Sequence, residues 1–239
     1  NHLNLFAQDK LHGKNEHLDL PAVVVDTLLK RLHQSFANFF RRCKEGSRKP
    51  GFPRFKSSNH WHSIQFRDAG PALHGNHFHA PKQCGGKIRC NVHRPLEGVF
   101  KFARVVKRPS GWYLQCVCET EAKPLPESRE VVGLDMGITY LVADNNGVFV
   151  QNPKHMRAAL KTLAHSQRLL ARKQKGSHRR KKQARVVARQ HEHIANQRRD
   201  HLHRVSRDYV NRYGLIAIED LNIAGMVRNH HLALSISDA

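Results

Sequence analysis

Asp135 lies in the stretch VVGLDMGITYLVADNNGVFVQNP, Val131 to Pro153, behind Val131, Val132 and Leu134 and two residues before Gly137. Glu219 has the same setting, because Leu215, Ile216, Ala217 and Ile218 lead directly into it. Each acid therefore sits on or at the end of a strand that reads as buried, and after Asp135 the glycine at 137 allows a close backbone approach beside a bulky ligand. If the two strands are neighbours in one sheet, the carboxylates converge and repel one another unless a divalent cation bridges them. Hard oxygen ligands of this kind favour Mg²⁺ or Mn²⁺, and paired metals of that type activate water and stabilise the leaving oxygen in phosphodiester hydrolysis. An acid at a strand end also serves as an N-cap for the next element, and Asp220 beside Glu219 is placed for that role.

The rest of the chain is strongly basic. Its 239 residues carry 41 Lys and Arg against 19 Asp and Glu, a formal charge of +22. Internal pairing cannot neutralise that excess, so the natural counter-charge is a polyanion, with nucleic acid first among the candidates. A membrane partner is set aside, since there is no apolar run of about 18 residues, no signal-peptide pattern and no basic helix with an aromatic-rich face. The five cysteines are odd in number and contain no C-x-x-C. They argue against a disulfide framework and against a zinc ribbon in this chain, and fit a reducing cytoplasm. Cys116 and Cys118, two apart, read as packing residues on one strand face. The histidines of HGNHFHAP, His74 to Pro81, lack a regular ligand spacing and read as solvated or phosphate-facing.

These residues need elements to hold them. Val25, Leu28, Leu29, Leu32, Phe36, Phe39 and Phe40 recur at helical spacing between Asp19 and Phe40, with Asp19 and Pro21 as the start signal. KEGSRKPGFPRFK, Lys44 to Lys56, reads as a basic loop. From about Trp61 to Glu121 short strand-like pieces predict an all-β subdomain, its clearest part a hairpin turning at Pro109, Ser110 and Gly111. The connector EAKPLPESRE, Glu121 to Glu130, marks the best domain boundary. Beyond it come strands over 131–136, 140–143 and 148–151, then a helical region over 154–212 broken near Gly176 and Ser177, then a short apolar strand ending at Glu219. That order describes an α/β layer.

The helical region has a stripe of Met156, Leu160, Leu163 and Leu170 on its first half, and Val187, Ile194, Leu202, Val205 and Tyr209 on its second. Its acids are only Glu192, Asp200 and Asp208. A charged helix usually balances itself through i,i+4 pairs, but here the partners are too few. Phosphate binding is the reading for Arg168, Arg172, Lys173, Lys175, Arg179, Arg180, Lys181, Lys182, Arg185, Arg189, Arg198 and Arg199, joined by Arg54 and Lys56 from the basic loop.

Several motifs, in one order, resemble a known family. VVGLDMGITYLVADNNG, QNPKHMRAALKTLAHSQRLLARKQKGS, ANQRRDHLHRVSRDYVNRYGLIAIEDLNIAGM, LALSISDA and the earlier KPGFPRFK are similar to the TnpB (OrfB) proteins of bacterial insertion sequences, relatives of type V CRISPR effectors and of Fanzor proteins. The resemblance runs from about Leu20 to Ala239. It implies a helical recognition segment with a basic linker over 1–56, a β-barrel wedge domain over 57–128, and a RuvC-like, RNase H-type nuclease domain over 129–239 with the long basic helical hairpin inserted. It implies an RNA-guided DNA endonuclease that holds a transposon-end guide RNA, reads a short flanking motif, opens target double-stranded DNA into an R-loop and cuts it with Mg²⁺ or Mn²⁺. Asp135 and Glu219 match the family's first catalytic aspartate and its catalytic glutamate, both metal ligands. A monomer on its RNA is the favoured assembly.

The departures are also specific. The chain opens at Asn1 and stops at LALSISDA, and so reads as an excerpt. The family continues into a Zn²⁺-binding C-x-x-C ribbon and a third catalytic aspartate, and Asp238 lies in the wrong motif to be that acid. The expectation is a chain that binds RNA and cleaves poorly alone. The alternative is an RNA-guided DNA-binding protein without cleavage, a repressor or targeting factor. A DNA-strand transposase is disfavoured, because no nucleophile with an HUH-type cluster is present and Tyr209 and Tyr213 read as helix-packing residues.

Overall fold

The computed structural model describes residues 21–54, 61–67, 73–122, 124, 125 and 127–238. They divide into two compact units, the first ending at Ala122, inside the proline-containing connector. The helix-start residue Asp19 and the basic-loop residue Lys56 lie outside the described residues.

In the first unit, helix α1 spans Ala22–Lys44. Pro21 precedes it, where a fixed φ and a missing N–H cost nothing. Six strands follow: β1 (Ser63–Arg67), β2 (Leu73–His74), β3 (His77–His79), β4 (Lys87–Arg89), β5 (Val99–Lys107) and β6 (Trp112–Glu119). β1, β5 and β6 form one antiparallel sheet, and β2, β3 and β4 a second. Val24 of α1 meets Phe66, Phe78 and Ala103 in the core, so the helix and both sheets share one apolar centre. The rings of Phe66 and Phe78 lie 5.6 Å apart across it.

Two expectations change here. Among the described residues the strands make two three-stranded sheets and no closed barrel. Closure needs tilted strands that pair all the way round, whereas β2 has two residues and β3 and β4 three each. The apolar stripe of α1 is also buried only at its start. Val24, Val25 and Thr27 are buried while Leu32 and Phe40 are exposed. Phe36 and Phe39 are instead met edge-on by Phe52, from the loop that Arg42 holds through the carbonyls of Pro50 and Gly51.

The second unit is built on β7 (Val131–Met136), β8 (Tyr140–Asp144), β9 (Phe149–Gln151) and β10 (Leu215–Ile218). Their order is β10-β7-β8-β9, with β10 parallel to β7 and the other pairs antiparallel. A parallel partner requires a crossover of a dozen or more residues. Helices α2 (His155–Ala171) and α3 (His178–Arg212) supply it. Gly176, at φ 83°, and Ser177, whose hydroxyl accepts the Arg180 N–H at 3.1 Å, turn the chain between them. Val132, Leu141, Val142 and Tyr209 form the core, so the end of α3 lies on one face of the sheet. Short helices α4 (Ile223–Met226) and α5 (Ala233–Asp238) close the unit.

Candidate functional site

The parallel register pairs Leu215 with Val131, Ile216 with Val132, Ala217 with Gly133 and Ile218 with Leu134. Asp135 and Glu219 are the next residues on each strand, so they lie side by side at the carboxyl ends of adjacent parallel strands. Both line one open groove, together with Gly133, Ala143, Asn145 and Ala217. The sequence reading of a buried acid changes: both side chains are exposed. Alternate strand residues face opposite sides of the sheet, and here Val132 packs under α3 while Val131 and Leu215 are exposed.

Two adjacent carboxylates on an open groove are a donor set that suits a hydrated divalent cation, because Mg²⁺ keeps several waters and takes one or two protein carboxylates. Among the described residues no group of three or more His, Cys, Asp and Glu side chains is gathered as a metal site.

The strands are fixed by contacts that the sequence reading did not identify. A Cβ at Gly214 would sit 1.8 Å from the Ser128 carbonyl oxygen, so only glycine lets the chain enter β10 at this point. The Gly214 N–H donates to the Glu130 carbonyl at 3.0 Å, next to the start of β7. Asn145 continues the β7–β8 ladder, its Oδ1 accepting the Gly133 N–H and its own N–H donating to the Gly133 carbonyl, each at 3.1 Å.

Asp144 also borders the groove, but its oxygens are taken. Oδ1 accepts the N–H groups of Asn146 at 3.0 Å and Val148 at 2.9 Å, and Oδ2 accepts the Tyr209 hydroxyl at 3.2 Å. The bond to Asn146 forms an Asx turn, for which DNNG at 144–147 is the sequence signal. Desolvation, followed by the charge and hydrogen bond of Asp144, pushes the Tyr209 hydroxyl pKa up. Tyr209 thus bolts α3 to the β8–β9 turn, and Tyr213 supports it by accepting a bond from the Asn146 amide at 3.1 Å.

Asp238 has a different task. It is 4% exposed, and its oxygens accept the N–H groups of Met156 at 2.6 Å and Arg157 at 2.9 Å. The residue at the N-cap of α2, Lys154, has φ 47° and provides no side-chain cap. The carboxylate of a distant helix therefore caps α2, a contact that local spacing could not reveal.

Arg168, Arg172, Lys175, Arg179, Lys181, Lys182, Arg185, Arg189 and Arg199 are exposed on the hairpin, and Arg54 is exposed in the first unit. Lys173 is half-buried. Arg180 is half-buried too, and its Nη1 donates to the carbonyls of Leu170 at 2.7 Å and Lys173 at 3.0 Å, closing the end of α2. Arg198 is half-buried with Nε lacking a partner. The ion pairs Asp200–Arg204 and Asp208–Arg212 belong to the last turns of α3. Its first turn instead holds Arg179, Arg180 and Lys181 at the positive end of the helix dipole, an arrangement that favours a bound anion.

The OrfB_IS605 family model, described as "Probable transposase", matches residues 115–230. A "Putative RNA-guided DNA endonuclease" of Streptomyces pristinaespiralis is 33% identical over 224 residues, covering 92% of this chain and 54% of the relative. The "Putative RNA-guided DNA endonuclease InsQ" of Escherichia coli K12 is 32% identical over 213 residues, covering 88% and 51%. A similarly named Mycobacterium tuberculosis protein is 35% identical over 113 residues, 45% of this chain and 24% of its own length. The chain thus spans about half the length of the first two relatives. By its motifs, the model matched over residues 115–230 and these relatives, the chain is similar to the OrfB (TnpB) proteins of insertion sequences.

Proposed function

We propose that this chain carries the cutting site of an RNA-guided DNA endonuclease of an insertion sequence, in a RuvC-like domain. The observation that carries the reading is the parallel pairing of β10 with β7, which sets Asp135 and Glu219 on one open groove. These two carboxylates would hold Mg²⁺ or Mn²⁺, which when bound polarises the scissile phosphate and lowers the pKa of a water. The exposed arginines and lysines around the α2–α3 turn hold backbone phosphates, as the charge imbalance of the chain requires. Guide RNA and target DNA are the polyanions proposed, in line with the names of the relatives.

A second reading, an RNA-guided DNA binder without cleavage, is an outcome of the same test. The experiment is cutting of a plasmid library with randomised target flanks by the chain with a transposon-end RNA and Mg²⁺, beside Asp135→Ala and Glu219→Ala. Mn²⁺ uptake is followed by electron paramagnetic resonance in all three proteins. RNA-dependent cutting and Mn²⁺ uptake that both fall in the variants support the nuclease. Undiminished cutting in either variant refutes it, and RNA binding without cutting or Mn²⁺ uptake supports the binder.

A further inference from the structure

The first unit contains a cleft for which the acidic pair has no use. Its volume is about 600 Å³, within the range of small-molecule sites. Phe78, Ile88, Val105 and Leu114 give it apolar walls, and Arg89 and Arg94 also line it. Trp112 borders it at the tip of the β5–β6 hairpin with 68% of its surface exposed. Lys107, directly across the hairpin from Trp112, holds its ammonium 5.5 Å from the indole centroid. The next residue, Tyr113, is 44% exposed, has the Arg108 guanidinium 5.5 Å from its ring, and shares a hydrogen bond with Ser110 at 2.7 Å.

A large exposed indole beside an apolar cleft gains by covering its face. The chemistry of the surroundings says with what. Between Leu73 and Glu119 there are two acidic residues, Glu97 and Glu119, against eight lysines and arginines, and Glu119 is taken by Lys101. A purely apolar ligand would leave Arg89, Arg94 and Lys107 without a counter-charge, and a free phosphate would leave the indole and the apolar walls uncovered. An unpaired nucleotide satisfies both: its base has an apolar π-face, and its phosphates are anionic. A base in a duplex is already stacked on both faces and cannot enter unless extruded.

We propose that this cleft takes one unpaired nucleobase of a single-stranded nucleic acid, stacked on Trp112, with the flanking phosphates on Arg89, Arg94 and Lys107. The assignment rests on the nucleic-acid partner proposed above. The test titrates the 239-residue chain with fluorescein-labelled 12-nucleotide strands of uridine, of thymidine and of abasic deoxyribose phosphate. Trp112→Ala is expected to weaken binding of the base-bearing strand about tenfold, within the range for one stacked base, and to leave the abasic strand unchanged. Trp112→Phe restores most of the loss, and the slope of affinity against salt stays the same in both variants. The uridine and thymidine arms distinguish RNA from DNA, with a Trp112-dependent loss in either supporting the proposal. Equal loss on all strands, or none, overturns the stacking site and leaves the nuclease reading standing. A wild-type chain that binds no strand overturns both.

Discussion

Gly133 lies on β7 and Gly214 stands just before its parallel neighbour β10, yet adding a methyl group to each should move stability in opposite directions. At Gly214 the new Cβ would stand 1.8 Å from the Ser128 carbonyl oxygen, where about 3 Å is the closest real approach. Backbone must therefore retreat by about 1.2 Å, because no flexible side chain is available to move. The nearby bonds from Gly214 N–H to Glu130 and from Ser128 Oγ to Arg212 are stretched or lost. Overpacking of this kind costs about 1–3 kcal/mol and each weakened bond about 0.5–1.5 kcal/mol. Gly214→Ala is thus expected to destabilise the unit by about 2–6 kcal/mol. At about 4 °C per kcal/mol, that is a melting midpoint about 8–24 °C lower. At Gly133 a Cβ meets nothing within 4 Å and the backbone needs no positive φ. Gly133→Ala is therefore expected to be neutral or to gain up to about 1 kcal/mol through the unfolded chain. Urea and thermal denaturation of both variants, followed by circular dichroism, provide the measurement. A Gly214→Ala protein that melts with the wild type, or a Gly133→Ala protein that falls with it, would refute the strand placement on which the Asp135–Glu219 pair depends.

Asp238→Ala removes the cap of α2 and should cost about 1–2 kcal/mol in thermal denaturation, with faster amide exchange at Met156 and Arg157; Asp238→Asn should recover part of the loss. The raised Tyr209 pKa makes a signed pH prediction. Above the usual tyrosine pKa near 10 the unfolded chain gives up its proton before the folded one, so stability present below that pH is lost as pH rises, up to the folded pKa. Urea midpoints between about pH 9 and 11 should therefore fall more steeply for the wild type than for Tyr209→Phe, and parallel curves would count against the bond to Asp144. Replacing Arg179 and Lys182 by alanine should weaken nucleic-acid binding and flatten its dependence on log salt by about 0.7–0.9 per lost phosphate contact. Unchanged slopes would remove the start of α3 from the nucleic-acid surface.

The strands and helices around the acids were legible because their signals are local. The apolar runs ending at Asp135 and Glu219 mark β7 and β10, and Gly176 with Ser177 marks the break between α2 and α3. What could not be read was which faces are covered. An apolar run such as LIAI reads as buried on both sides, yet Leu215 and Ile218 are exposed because α3 covers only part of one face. The same limit affected the acids, expected buried and found exposed. Asp238 and Arg180 carried no signal, since their partners are backbone groups of α2, defined only after folding. The barrel expectation came from resemblance, and the short strands β2, β3 and β4 are where it departs from the observed sheets.

The parallel pairing of β10 with β7 also determines when the site can exist. Asp135 lies before the helical hairpin and Glu219 after it, so the two acids meet only once the intervening chain has closed a long loop. Loop closure grows costlier with length, and contacts between distant segments form late. During synthesis Asp135 emerges first and waits unaccompanied until α3 has folded back and Tyr209 has found Asp144. A half-made or locally frayed chain would therefore keep the exposed arginines of the hairpin while lacking the paired carboxylates. Under the function proposed above, nucleic-acid capture would precede any capacity to cut.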